Sequence, residues 1–194
     1  MENISEIAKI LNPKSSALVI WDVQRMLVDG IFNKEDFLAN TDRLVQSARQ
    51  KGIPIFFTKI TPLPPRFESP ARRYFMKNRP RRLAFTPEGF DLAVRPQEGD
   101  TILNKNTASI FVGTNFELQV RNANLSTIIF SGIATEIGIE SSARDALNRG
   151  FFPVVVTDAV SSSDREAHTR SLQNLKNMMI LLTSTDLVTV WNAG

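Results

Sequence analysis

The chain has no cysteine and one histidine, His168. The first absence excludes disulfides, thiolate metal sites and thiol catalysis. The second leaves no histidine pair from which a zinc site of the usual kind is built. Long apolar runs are missing as well. The longest, 17–21, 151–156 and 178–182, fall far short of the ~18–20 residues that cross a bilayer. The opening segment MENISEIAKILNPKSS carries Glu2 and Glu6 and no apolar centre, which does not fit a secretory signal. No repeat or low-complexity tract occurs. These absences predict a cytoplasmic protein that uses neither thiol nor metal.

What is present fits an ordinary globular chain. Its 194 residues are 42% hydrophobic and are read as one domain, 1–194. A domain of that size buries roughly 70% of the surface its unfolded chain exposes. The net charge of +3 is unevenly spread. Residues 66–82 hold seven basic side chains (Arg66, Arg72, Arg73, Lys77, Arg79, Arg81, Arg82) and one acid, Glu68, leaving 16 basic against 19 acidic residues elsewhere. The basic character therefore belongs to one segment. Phe67, Tyr74 and Phe75 interleave with it, a mixture that can bind nucleic acid. Without a nucleic-acid fold around it, the segment is read as a lid, a subunit contact or a carboxylate-binding edge.

Short β-branched or aromatic runs alternate with amphipathic segments, which predicts βαβ units and a mostly parallel sheet. Strands are expected at 17–21, 54–58, 101–104, 126–131, 152–156 and 179–182. Phe37, Leu38, Thr41, Leu44, Val45 and Ala48 recur at helical spacing after a candidate cap, Asn33. Thr114 to Glu117 and Ser163 to Glu166 have the form of capping boxes, and Thr135 is placed as a third cap. Residues 60–100, with seven prolines, read as a long excursion of the kind that usually serves function.

Ligands in parallel α/β sheets bind beyond the carboxyl ends of the strands. Three polar signals fall there: Asp22, Lys105 and the segment 132–138. Together they supply an acid, a cation and a run of helix-start amides suited to an anion or oxyanion.

These residues resemble those of the isochorismatase-like hydrolases. Asp22-Val23-Gln24 matches that family's Asp-x-Gln start. Lys105, followed by Ser109 and Phe111, matches its lysine motif. The segment from Gly132 through Gly138 to Ala146 matches the stretch that carries its nucleophile, and Asp158 and His168 fit its C-terminal pattern. The resemblance implies a three-layer α/β/α sandwich with a six-stranded sheet, assembled as a homo-oligomer. It also implies a catalytic Asp–Lys–Cys set, matched here by Asp22, Lys105 and, in the cysteine's place, Gly138. Substrate contacts are carried over to Gln24, Phe111, Ile133, Ala134 and Thr135, with a cis peptide between Ile133 and Ala134.

Glycine at 138 removes the thioester route of the family's amidases. The isochorismatase branch also has glycine there and hydrolyses an enol ether: an Asp protonates the vinyl carbon and water attacks the oxocarbenium ion. True isochorismatases have Tyr at the Ala134 position and Gln shortly after the second strand, so isochorismate itself is not assigned. The expectation is a hydrolase of a small, anionic molecule that needs no cofactor and contacts neither nucleic acid nor membrane. The alternative is a catalytically silent family member acting in binding or assembly. Gly138 is read either as a small residue at a crowded helix start or as room for water or substrate. His168 is expected to be a hydrogen-bonded structural residue, and Glu136 to face solvent.

Overall fold

Fully apolar runs become the centre of the sheet, and one-sided runs become its helical cover. The computed structural model describes residues 2–78 and 86–193. In chain order its main elements are α1 (Glu2–Ile10), β1 (Ser16–Trp21), α2 (Arg25–Val28), α3 (Lys34–Gln50), β2 (Ile55–Ile60), α4 (Pro70–Lys77), β3 (Thr101–Lys105), α5 (Phe116–Asn122), β4 (Thr127–Ile133), α6 (Glu140–Asn148), β5 (Phe152–Ser161), α7 (Arg165–Leu175), β6 (Ile180–Leu182) and α8 (Ser184–Ala193). A π-turn, Thr135–Ile139, leads into α6.

Among the described residues the six strands form one sheet in the order β3-β2-β1-β4-β5-β6. Every adjacent pair is parallel. Every residue of β1 and of β4 is buried, as expected for strands covered on both faces. One face packs Leu18, Ile20 and Phe57 against Phe37, Leu44 and Val45 of α3 and Leu187 and Trp191 of α8. The other packs Val19, Trp21 and Phe130 against Phe116 of α5, Ala143 and Ala146 of α6, and Leu175 of α7. The result is the expected α/β sandwich. Strand order reverses between β1 and β4, and a crevice at the carboxyl ends of the strands is expected at such a switch point.

Several local expectations are corrected. β5 does not stop at Val156 but continues to Ser161. The polar Thr157 and Asp158 end the apolar run, yet a register shift lets Val160 and Ser161 pair again with Gly132 and Ile133. The excursion after β2 holds a helix, α4, that proline content had hidden. Arg79, Arg81 and Arg82 of the basic segment lie outside the described residues. The cap of α7 is Asp164 and not Ser163; its carboxylate accepts from the amides of Glu166 and Ala167, both at 2.9 Å. The cap position of α5 is Asn115, while the neighbouring Thr114 hydroxyl accepts from the Phe116 amide. Asn33 does precede α3, but its side chain makes no cap bond and accepts from the Ser161 hydroxyl instead.

Candidate active site

Asp22 is the first residue beyond β1 and adopts a left-handed backbone, φ 49°. That conformation is uncommon outside glycine and is best tolerated by Asn and Asp. The turn brings its carboxylate against β2 and β3. The Thr58 hydroxyl donates to Oδ1 at 2.6 Å and accepts from the Asp22 amide at 3.0 Å. Lys105, at the end of β3 and 83 positions away, donates from Nζ to Oδ2 at 2.6 Å. Both side chains are almost closed off, with Asp22 3% and Lys105 4% exposed. Parallel strands explain the meeting, because both residues leave the same edge of the sheet.

Burial dominates the electrostatics. It raises the Asp22 carboxyl above its ordinary range, against the opposing charge and hydrogen bond of Lys105, the Thr58 hydrogen bond and the more distant charge of Arg72. Burial likewise lowers the Lys105 ammonium; the charge and hydrogen bond of Asp22 oppose this, and Arg72 adds to it. Both shifts work against the charges of the pair, while the 2.6 Å hydrogen bond and the mutual attraction work for them.

The Lys105 ammonium also donates to the Thr107 carbonyl at 3.3 Å and lies 3.8 Å from the centroid of the Trp21 ring. The loop carrying Thr107 is docked by Ser109, whose hydroxyl donates to Asp145 of α6 at 2.5 Å. The serine of the lysine motif thus anchors the loop beneath the ammonium. Arg72 of α4 reaches the same loop and donates to the Asn106 carbonyl at 2.8 Å.

Gly138 lies against the indole of Trp21, the residue before the acid, and of its two readings the crowded one holds. A Cβ added there would stand 1.9 Å from Trp21 Nε1 and 2.2 Å from Cε2. Three amides of the expected helix-start run are already engaged. The Ala134 carbonyl accepts from the amides of Ile137, Gly138 and Ile139, at 3.2, 3.0 and 3.3 Å. The Ile133–Ala134 peptide is cis.

The remaining residues assigned to substrate make the following contacts within the protein. Gln24 is fully buried; its amide accepts from the Ile60 amide at 2.8 Å and donates to the Phe90 carbonyl at 3.1 Å, which ties β2 to the segment before β3. Phe111 packs edge-on to Phe116 and stacks on Phe151, which precedes β5 and so marks the opposite edge of the sheet from Asp22. Ile133 belongs to the core beside α3. Thr135 caps no helix: its hydroxyl donates to the Ser161 carbonyl at 3.1 Å and bonds His168 Nδ1 at 2.8 Å. Glu136 does not face solvent. Its Oε1 accepts from the Ser162 hydroxyl at 2.9 Å, and its Oε2 is buried without a partner.

Sequence reasoning missed Thr58 and Trp21. Thr58 was legible only as a hydroxyl closing the run Ile55-Phe56-Phe57. Trp21 was read as the last core residue of β1, although it is the largest side chain next to the acid.

An Isochorismatase domain profile matches residues 16–186. The chain belongs to the isochorismatase family. It is 31% identical over 166 residues to the isochorismatase family protein YwoC of Bacillus subtilis, covering 82% of this chain and 85% of that one. It is 25% identical over 175 residues to an N-carbamoylsarcosine amidase of Arthrobacter, covering 79% and 60%. A cysteine hydrolase from Pseudomonas syringae pv. phaseolicola shares its fold, with a TM-score of 0.85 at 19% identity over 94% of each chain. The family's members are hydrolases. No helix among the described residues is long and apolar enough to cross a membrane.

Proposed function

We propose that this isochorismatase-family chain hydrolyses a small anionic organic molecule by proton transfer from Asp22, with water and not an enzyme side chain as the nucleophile. The observation that carries this reading is the dry Asp22–Lys105 pair, whose carboxyl is pushed towards the protonated form while a lysine stands 2.6 Å away to restore its proton. An enol ether suits such a site. Asp22 gives its proton to the vinyl carbon, water adds to the oxocarbenium carbon, and the resulting hemiketal loses the alcohol to leave a ketone. Lys105 and Arg72 supply positive charge for a substrate anion. Amidase action of the cysteine-dependent kind is outside this reading, because no thiol is available.

A panel of anionic enol ethers tests it directly. Wild type is expected to release the ketone, and Asp22→Asn to lose at least the ~100-fold that general acid catalysis contributes. Equal rates for the two proteins would overturn the assignment.

One observation favours a second reading, a silent member that binds small molecules or acts in assembly: Asp22 and Lys105 are nearly closed to solvent and the indole of Trp21 crowds position 138. In that case ligands perturb tryptophan fluorescence without turnover. In either reading we propose a homo-oligomer, for which Phe67, Tyr74 and Phe75 offer exposed aromatic surface. Sedimentation of the wild type against Tyr74→Ser/Phe75→Ser tests this.

A further inference from the structure

Glycine at 138 is half of a pair, and the other half is Trp21. The indole is 2% exposed and lies where a side chain at 138 would begin. Its backbone cannot retreat. Trp21 pairs with Gly132 in the sheet, and a Cβ on Gly132 would already stand 2.1 Å from the Trp21 carbonyl oxygen. The Lys105 ammonium lies over its ring, 3.8 Å from the centroid. The left-handed turn at Asp22 follows at once, so the residue that crowds 138 also adjoins the acid.

We infer that Trp21 is the residue that sets the reaction class of this site: its indole holds the volume that a nucleophilic side chain at 138 would need. The restriction to proton transfer and water rests on the function proposed above. The exclusion of a side chain at 138 by the indole does not, since it follows from distances alone. A second consequence concerns Lys105. With the indole in place the ammonium faces an aromatic ring and the Asp22 carboxylate; with a small residue at 21 it would face whatever stands at 138.

The test uses no natural substrate. Wild type, Gly138→Cys, Trp21→Leu and Trp21→Leu/Gly138→Cys are compared by urea unfolding and by their reaction with p-nitrophenyl acetate. The wild type has no cysteine, so any thiol reaction comes from position 138. In that reaction the thiolate attacks the ester carbonyl, a C–S bond forms, the C–O bond breaks and p-nitrophenolate leaves. Expected first is coupling: cysteine at 138 lowers the urea midpoint with Trp21 present, and by much less in the Trp21→Leu background. Expected second is a burst of about one p-nitrophenolate per chain from the double variant and a far slower one from Gly138→Cys. Adding Lys105→Met to the double variant should move the inflection of burst rate against pH upward, because a cation beside a thiol lowers its pKa. A cysteine equally costly in both backgrounds, a double variant that does not fold, or an inflection indifferent to Lys105 would each overturn the inference. Should Gly138→Cys itself not fold, Gly138→Ala with and without Trp21→Leu reads the same coupling. Failure of enol-ether turnover leaves these outcomes unaffected, so the two proposals fail separately.

Discussion

The carboxyl ends of β1, β2 and β3 and those of β4 and β5 lie side by side, yet they are built from different chemistry. The first group presents a buried acid and base, Asp22 and Lys105, bridged at 2.6 Å and steadied by Thr58 and Trp21. The second presents hydroxyls: Thr135 between the Ser161 carbonyl and His168, and Ser171 on Glu140 of α6 at 2.6 Å, whose other carboxylate oxygen pairs with the half-exposed Arg144 at 2.7 Å. Hydroxyl bonds such as those of Thr135 rigidify a turn at little electrostatic cost. A buried ion pair loses hydration that its own attraction restores only in part. Such a pair is poor evidence for stability and better evidence for chemistry, which is why the first group is assigned the reaction and the second the scaffold.

The contrast can be broken most severely at Asp22. Asp22→Asn leaves Lys105 buried without its counter-charge and is expected to cost about 3–5 kcal/mol in urea unfolding at pH 7. Asp22→Asn/Lys105→Met removes both charges and should cost clearly less than the two single changes added together. Strict additivity would mean that the pair is not coupled. Across the divide, Thr135→Val leaves the Ser161 carbonyl without its hydroxyl donor and takes one partner from His168. About 1–3 kcal/mol is expected from unfolding data. If turnover is found, the pH profile of this variant should match that of wild type; a displaced profile would move Thr135 from scaffold to chemistry.

The pH dependence of stability sharpens the comparison. The Asp22 carboxyl is raised from an ordinary value of 3.8. Taken alone, its contribution to stability is therefore full below about pH 3.8 and is lost as pH rises through the folded-state value. Lys105 is lowered from 10.5, so its contribution is present above that pH and is lost as pH falls through its own folded-state value. Relative to Asp22→Asn/Lys105→Met, wild type should gain stability on moving from neutral pH towards either extreme. Unfolding of both proteins at pH 4, 7 and 10 checks this, and a constant difference would contradict it. The smallest effect belongs to the surface. Arg170 bonds Glu166 at 3.5 Å with both side chains exposed, and Arg170→Ala should change stability by no more than about 0.5 kcal/mol.

The strands themselves were legible because runs such as Ala17–Trp21 and Ile128–Phe130 are short, apolar and rich in β-branched or aromatic residues. The short helix α4 was hidden among prolines that permit a first turn, since Pro70 stands at its start. The caps were misjudged by one residue at Asp164 and Asn115, where neighbouring polar side chains offer the same local chemistry and only backbone angles choose between them. Phe111 and Gln24 carried a family pattern in sequence, but each has its contacts inside the protein.

Sequence by itself determined the alternation of strands and helices, the family, the absence of a thiol and the two strand-end charges, since all of these depend on residue type and short-range spacing. Tertiary structure decided which neighbours those charges have. Thr58, Trp21 and Gly138 come from three separate segments and meet at one point only after parallel pairing sets the register of β1, β2 and β4. Whether glycine at 138 means space or crowding likewise depended on a side chain 117 positions earlier, because packing volume is shared between residues near in space, whatever their separation along the chain.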